Sequence, residues 1–166
     1  KQYQWTTGLK TGSTNTAKYC FSATASKDGI DLIAVIMGAP DFKVRFSEAR
    51  SLLEYGFALT RLYVDENKEP LGDILVTGGK ADQLRVEPKG IFRYLDTTGA
   101  DFSQIQKNYL YADNVTAPVE KGAEVGYISY SLGGVELGRT PIVASEAVEK
   151  AYFINYLKKI LIKYLI

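Results

Sequence analysis

Histidine is absent from all 166 residues, and with it every mechanism that needs an imidazole as general base or metal ligand. A Ser-His-Asp triad is thereby excluded. Cys20 is the only cysteine, so neither an internal disulfide nor a thiolate metal cluster can form, and cysteine usage carries no information on compartment. It is read as a small apolar residue buried in a strand. Charge of one sign is not in excess either. The 20 Lys+Arg against 19 Asp+Glu leave a formal +1, which offers no global electrostatic ground for nucleic-acid binding. No metal and no cofactor are expected. The opening Lys1-Gln2-Tyr3-Gln4-Trp5 has neither the apolar run nor the small-residue cleavage site of a signal peptide, as expected of a mature or excised segment.

What is present, 46% hydrophobic and 23% charged residues, is the composition of a folded chain. Tyr19, Phe21 and Ala23 share one parity, Lys27-Asp28-Gly29 reads as a turn, and Ile30 to Met37 is an apolar run. Two antiparallel strands joined by a tight turn follow from that pattern. After Gly38-Ala39-Pro40 the period becomes helical, with Phe42, Phe46, Ala49, Leu52 and Leu53 three or four apart. Asp41 stands where an N-cap is wanted and Gly56 near the end. From about Leu59 short β-prone pieces alternate with Gly78-Gly79, Pro88-Lys89-Gly90, Asp113-Asn114 and Gly133-Gly134, a spacing that predicts a small antiparallel β-sandwich. The fold class is therefore α+β, divided into residues 1–59, a β-sandwich over 60–144 and a terminal helix over 145–166.

With Ser145 as N-cap, a helical period places Phe153, Ile154, Leu157, Ile160, Leu161, Tyr164 and Leu165 on one side and Glu149, Asn155, Lys158, Lys159 and Lys163 on the other. Charge interrupts the apolar stretch too often for it to span a bilayer. Two readings stand beside each other: a helix lying in the plane of a membrane surface, with Phe153, Leu157, Ile160, Leu161 and Tyr164 facing the lipid, or a helix docked on its own domain.

The segment that carries chemistry is Gly8-Leu9-Lys10-Thr11-Gly12-Ser13-Thr14. Alone, a Lys-Thr-Gly tripeptide also fits an edge strand ending in a turn. Its setting adds to it: two strands and a helix follow, the order that follows the Lys-Thr-Gly strand in penicillin-binding proteins and serine β-lactamases. Together with Ala23-Thr24-Ala25, Leu32 to Ala39, Arg45 and Ser51-Leu52-Leu53-Glu54-Tyr55-Gly56-Phe57, it resembles the low-molecular-mass penicillin-binding D-alanyl-D-alanine carboxypeptidases. The resemblance implies the last strands and final helix of a transpeptidase-like domain, then a β-sandwich and an amphipathic anchor. It implies an extracytoplasmic place at the outer face of the bacterial cytoplasmic membrane. Such enzymes remove the terminal D-alanine of peptidoglycan stem peptides through a serine acyl-enzyme, which β-lactams trap. By the same resemblance Lys10 places a cation beside the nucleophile, and Thr11 hydrogen-bonds the substrate carboxylate. Gly12 admits the substrate backbone, the Ser13 N–H serves the oxyanion hole, and Arg45 lies near the strand as a carboxylate partner. Arg45 is equally what a surface helix carries.

Two further elements of that superfamily are missing. No serine here is followed three residues later by lysine, and the only Ser-x-Asn is Ser13-Thr14-Asn15, which overlaps the Lys-Thr-Gly motif. The expectation is a part of a carboxypeptidase that is inactive by itself. Its exposed sheet would pair with an upstream half of the same enzyme or with copies of itself. The alternative is a non-catalytic β-sandwich module that positions or binds partners at a membrane surface.

Overall fold

Alternating side chains, a turn that needs positive φ, and a helix rich in small residues on one face together build the first part of the molecule. In the computed structural model, which describes residues 3–165, β1 (Thr6–Thr14), β2 (Lys18–Lys27) and β3 (Ile30–Ala39) form an antiparallel sheet in that order. Asp28 and Gly29 both adopt positive φ, 52° and 77°, the backbone of a two-residue type I′ hairpin turn. Helix α1 (Val44–Leu59) covers one face of the sheet. The contact is made by Ala23, Ala25, Ala34, Ala49 and Leu53, and the run of alanines lets helix and strands approach closely.

Two details of α1 differ from the sequence-based expectation. Lys43 occupies the N-cap without a side-chain bond, while Asp41, two residues earlier, accepts the N–H groups of Lys43 and Val44 on its carboxylate at 2.6 and 3.0 Å. Gly56 does not end the helix. A Cβ there would lie 2.7 Å from Leu32 Cδ1, so this glycine serves close packing, and Thr60 closes the helix through its N–H and hydroxyl on the Gly56 carbonyl.

The remaining elements are β4 (Arg61–Asp65), β5 (Ile74–Thr77), β6 (Gln83–Leu84), β7 (Val86–Pro88), β8 (Phe92–Asp96), β9 (Gln106–Tyr111), β10 (Val115–Thr116), β11 (Glu124–Leu132), β12 (Val135–Ala144) and α2 (Phe153–Leu165). They form a four-stranded sheet β7-β12-β11-β9, a three-stranded sheet β10-β5-β6 and the pair β4-β8. Leu84, Ile128, Tyr130 and Ile142 are fully buried between them. The expected sandwich is present; the four-stranded sheet is antiparallel, as is β5 on β6, while β10 lies parallel to β5.

Two compact units can be distinguished: residues up to Tyr63 with Leu95–Ala100, and Val64–Tyr94 with the residues from Asp101 on. In the first, buried Asp96 accepts the Thr98 hydroxyl at 2.7 Å and the N–H groups of Thr98, Gly99 and Ala100. In the second, the Tyr130 hydroxyl shares its proton between Asn67 Oδ1 at 2.7 Å and Asp65 Oδ2 at 3.1 Å, and Lys107 pairs with the same carboxylate. Buried polar groups joined this way satisfy one another where water is excluded.

The terminal helix is shorter than the sequence pattern suggests. Ser145 caps no helix, since its hydroxyl donates to the Arg85 carbonyl. Residues 146–151 run extended instead, with Val148 bridged to Val119 and Lys150 to Gly79. The helix expected from Ser145 on fails over those positions because tertiary pairing supplies their backbone partners. Helix α2 begins at Phe153, preceded by a turn in which Asn155 Oδ1 accepts the Tyr152 N–H at 2.9 Å.

Candidate functional site

Strand β1 is an edge strand: among the described residues its ladder partner is β2 on one side, with no strand on the other. Its two faces are set by the pairing. Leu9 lies opposite Ala23 and Thr11 opposite Phe21, on the face that α1 covers, whereas Lys10 opposite Ser22 and Gly12 opposite Cys20 share the other face. That second face carries Ile33, Val35 and Met37 of β3, all exposed, Met37 to 78%. Cys20 is only half-buried for this reason. The expectation of a buried thiol fails because nothing among the described residues covers its side of the sheet.

The candidate residues of this edge are consecutive, and all but Thr11 are exposed. Lys10 is exposed and its Nζ donates to the Thr11 carbonyl at 2.8 Å. Thr11 is half-buried on the helix side, and Ser13 is exposed next to the hairpin, where Thr14 Oγ1 accepts the Ala17 N–H at 2.9 Å. Gly12 needs no unusual φ, and a Cβ built on it would meet nothing within 4 Å. The fold of this chain therefore gives no steric or conformational reason for glycine at that position.

Arg45, in the first turn of α1, reaches back to this strand. Its Nη1 lies 3.4 Å from both the Gly12 and the Cys20 carbonyl oxygens. The structure thus brings Lys10, Thr11, Gly12, Ser13 and Arg45 to one strand end, with Lys10 and Arg45 on opposite faces of the sheet. Beside them, a groove of about 600 Å³ runs between α1 and the β1–β2 ladder, lined by Leu9, Phe21, Phe46 and Ala49 among others. Neither the groove nor the tie of Arg45 to backbone carbonyls is visible in the sequence, because both depend on where α1 crosses the sheet.

In the second unit, Phe153, Leu157, Ile160 and Leu161 of α2 are all exposed, Phe153 to 81%. The Tyr164 side chain lies outside the described residues. No helix of the described residues is long and apolar enough to cross a membrane, and they hold no cluster of potential metal ligands.

Residues 57–150 match the family described as penicillin-binding protein 5, C-terminal domain, and residues 1–41 match the family described as D-alanyl-D-alanine carboxypeptidase. The chain is similar to D-alanyl-D-alanine carboxypeptidase DacF of Bacillus subtilis, with 31% identity over 160 residues that cover 96% of this chain and 41% of the relative. It is also similar to carboxypeptidase DacC of Escherichia coli, with 29% identity over 157 residues, covering 88% of this chain and 37% of the relative. Among solved structures, penicillin binding protein 5 from Haemophilus influenzae superposes with a TM-score of 0.67 at 27% identity, over 86% of this chain and 42% of that one. The chain thus spans roughly two fifths of the length of these relatives.

Proposed function

We infer, for a chain that belongs to the penicillin-binding protein 5 family of D-alanyl-D-alanine carboxypeptidases, that β1 is the substrate-binding edge of an active site whose serine lies on residues outside this sequence. The observation that carries the reading is Gly12. It sits within the paired part of β1, two residues before its end, on an open edge near an exposed lysine, where the chain itself has no use for a missing Cβ. A glycine in a strand interior costs about 0.5–1 kcal/mol relative to alanine, so its use here fits close approach by something from outside.

In this reading an extended peptide ending in D-alanyl-D-alanine lies along β1, as a further strand would. Lys10 supplies positive potential on one face, next to where a serine and its relay partner must stand to serve a site without histidine. Thr11 donates its hydroxyl to the terminal carboxylate, and the Ser13 N–H stabilises the developing oxyanion. Attack by that serine on the terminal peptide bond expels D-alanine and leaves the shortened peptide as an ester on the serine, which water hydrolyses; a β-lactam would stop at the acyl stage. The exposed row Ile33, Val35 and Met37 is the surface against which an upstream half of the same enzyme, or a second copy, would pack. Helix α2 lies on the membrane surface and holds the protein at the outer face of the cytoplasmic membrane.

Labelling with a fluorescent penicillin tests this. The chain alone should take no label. Mixed with a separately expressed upstream segment carrying Ser-x-x-Lys and Ser-x-Asn, it should form a heterodimer by light scattering and restore label on that segment, and Lys10→Ala should abolish it. A heterodimer that labels equally with Lys10→Ala sinks the assignment. The exposed apolar residues of α2 also favour a second reading, a non-catalytic module that positions partners at the membrane. Vesicle binding without restored labelling is its signature.

A further inference from the structure

The Gly12–Cys20 pair is flanked along the ladder by Thr11–Phe21 and Ser13–Tyr19. Those flanking residues face α1, whereas Gly12 and Cys20, like the Lys10–Ser22 pair, direct their side-chain positions to the other face, so at this rung the helix side of the sheet offers backbone. Arg45 fills that gap. Its Nη1 stands 3.4 Å from the carbonyl oxygens of both paired residues, and its guanidinium carbon lies 5.5 Å from the Tyr19 ring centre and 4.9 Å from that of Phe46. One cation therefore touches two strands and is flanked by an aromatic ring from β2 and one from its own helix. Its Nε is buried without a partner. An arginine serving only as a solvated helix residue would turn that group to water, because leaving a donor buried and unpaired costs free energy.

We propose that Arg45 is a positioning residue, which locks the β1–β2 hairpin onto α1 at the Gly12–Cys20 rung and thereby fixes the directions of the Thr11 hydroxyl and the Ser13 N–H. Its value for the reaction rests on the reading of β1 as a substrate-binding edge; the clamp itself does not. Lysine replaces it poorly, since a point charge can approach one carbonyl but has no planar group to lie against the rings.

Amide hydrogen exchange by NMR on the full chain tests the clamp without needing activity. In Arg45→Gln, exchange at residues 11–14 and 19–21 should quicken about tenfold, with residues 124–144 unchanged. Arg45→Lys should recover part of the protection, and it serves as the folded control if the glutamine variant does not fold. Unchanged exchange at the hairpin, or a uniform rise across β1–β3 and α1, overturns the proposal. With the upstream segment added, penicillin acylation should fall in Arg45→Gln and partly return in Arg45→Lys. Slower acylation with hairpin exchange as in wild type would mean that Arg45 acts on the ligand directly, and the clamp is wrong. Absence of labelling in the wild-type mixture would count against the catalytic reading alone and leave the exchange result standing.

Discussion

At the scale of single residues, Gly12 stands apart from the glycines that folding requires. A Cβ at Gly12 meets nothing within 4 Å, whereas at Gly126 it would lie 2.3 Å from the Leu110 carbonyl oxygen of β9, at the point where β11 shifts register against β12 on its other side. The second glycine is required by the fold and the first is not. Gly12→Ala should therefore stabilise the isolated chain by about 0.5–1 kcal/mol through reduced backbone freedom of the unfolded state, measured by urea unfolding. The same substitution should lower penicillin labelling of the assembled complex. A loss of stability would show that the open space beside Gly12 is not free. Lys10, Thr11 and Gly12 were legible as residue types in sequence; that Lys10 and Thr11 face opposite sides of the sheet follows from strand alternation once β1 is recognised as a strand.

At the scale of elements, the terminal segment shows how periodicity alone overreaches. The pattern starts the helix at Ser145, yet the backbone of residues 146–151 joins the β unit through Val119 and Gly79, and the Glu149 side chain, placed on a polar helix face by the pattern, pairs with Lys80. Only α2 from Phe153 on keeps the expected helix. Its apolar residues remain exposed among the described side chains, which leaves a surface-lying role open to a direct measurement. Leu157→Asp with Leu161→Asp should reduce binding to phospholipid vesicles at least tenfold, since burial of two leucines is worth roughly 1.5–3 kcal/mol each, and should leave the thermal unfolding of the β unit unchanged. Equal vesicle binding by the variant would remove the membrane role from α2.

At the scale of the whole molecule, Asp96 in the first unit and Asp65 in the second are carboxylates, each held by several hydrogen bonds, that link stability to pH. Burial raises the Asp65 carboxyl, but the hydrogen bond from Lys107, the Asn67 N–H, the Lys107 charge and the Tyr130 hydroxyl outweigh it and hold it below the usual carboxylate range. The Thr98 hydroxyl, opposed by burial and joined by the N–H groups of Ala100, Thr98 and Gly99, does the same for Asp96. A folded pKa below the unfolded value of about 3.9 means that both contributions are complete above about pH 5 and are lost as pH falls through the folded values. Asp65→Asn should cost about 1–2 kcal/mol at pH 7, and Asp96→Asn should lower stability as well. For each, the gap to wild type should narrow towards pH 2 in thermal melts; a gap independent of pH would contradict the linkage. The amino-acid sequence by itself determined the strands, the Asp28-Gly29 turn, the Lys-Thr-Gly edge and the absence of a nucleophile motif, because these rest on local periodicity, turn chemistry and residue identity. Only the tertiary structure decided that Gly56 packs rather than caps, that residues 146–151 extend, and that Arg45 reaches the Gly12 and Cys20 carbonyls, because each depends on which distant backbone supplies the neighbouring atoms.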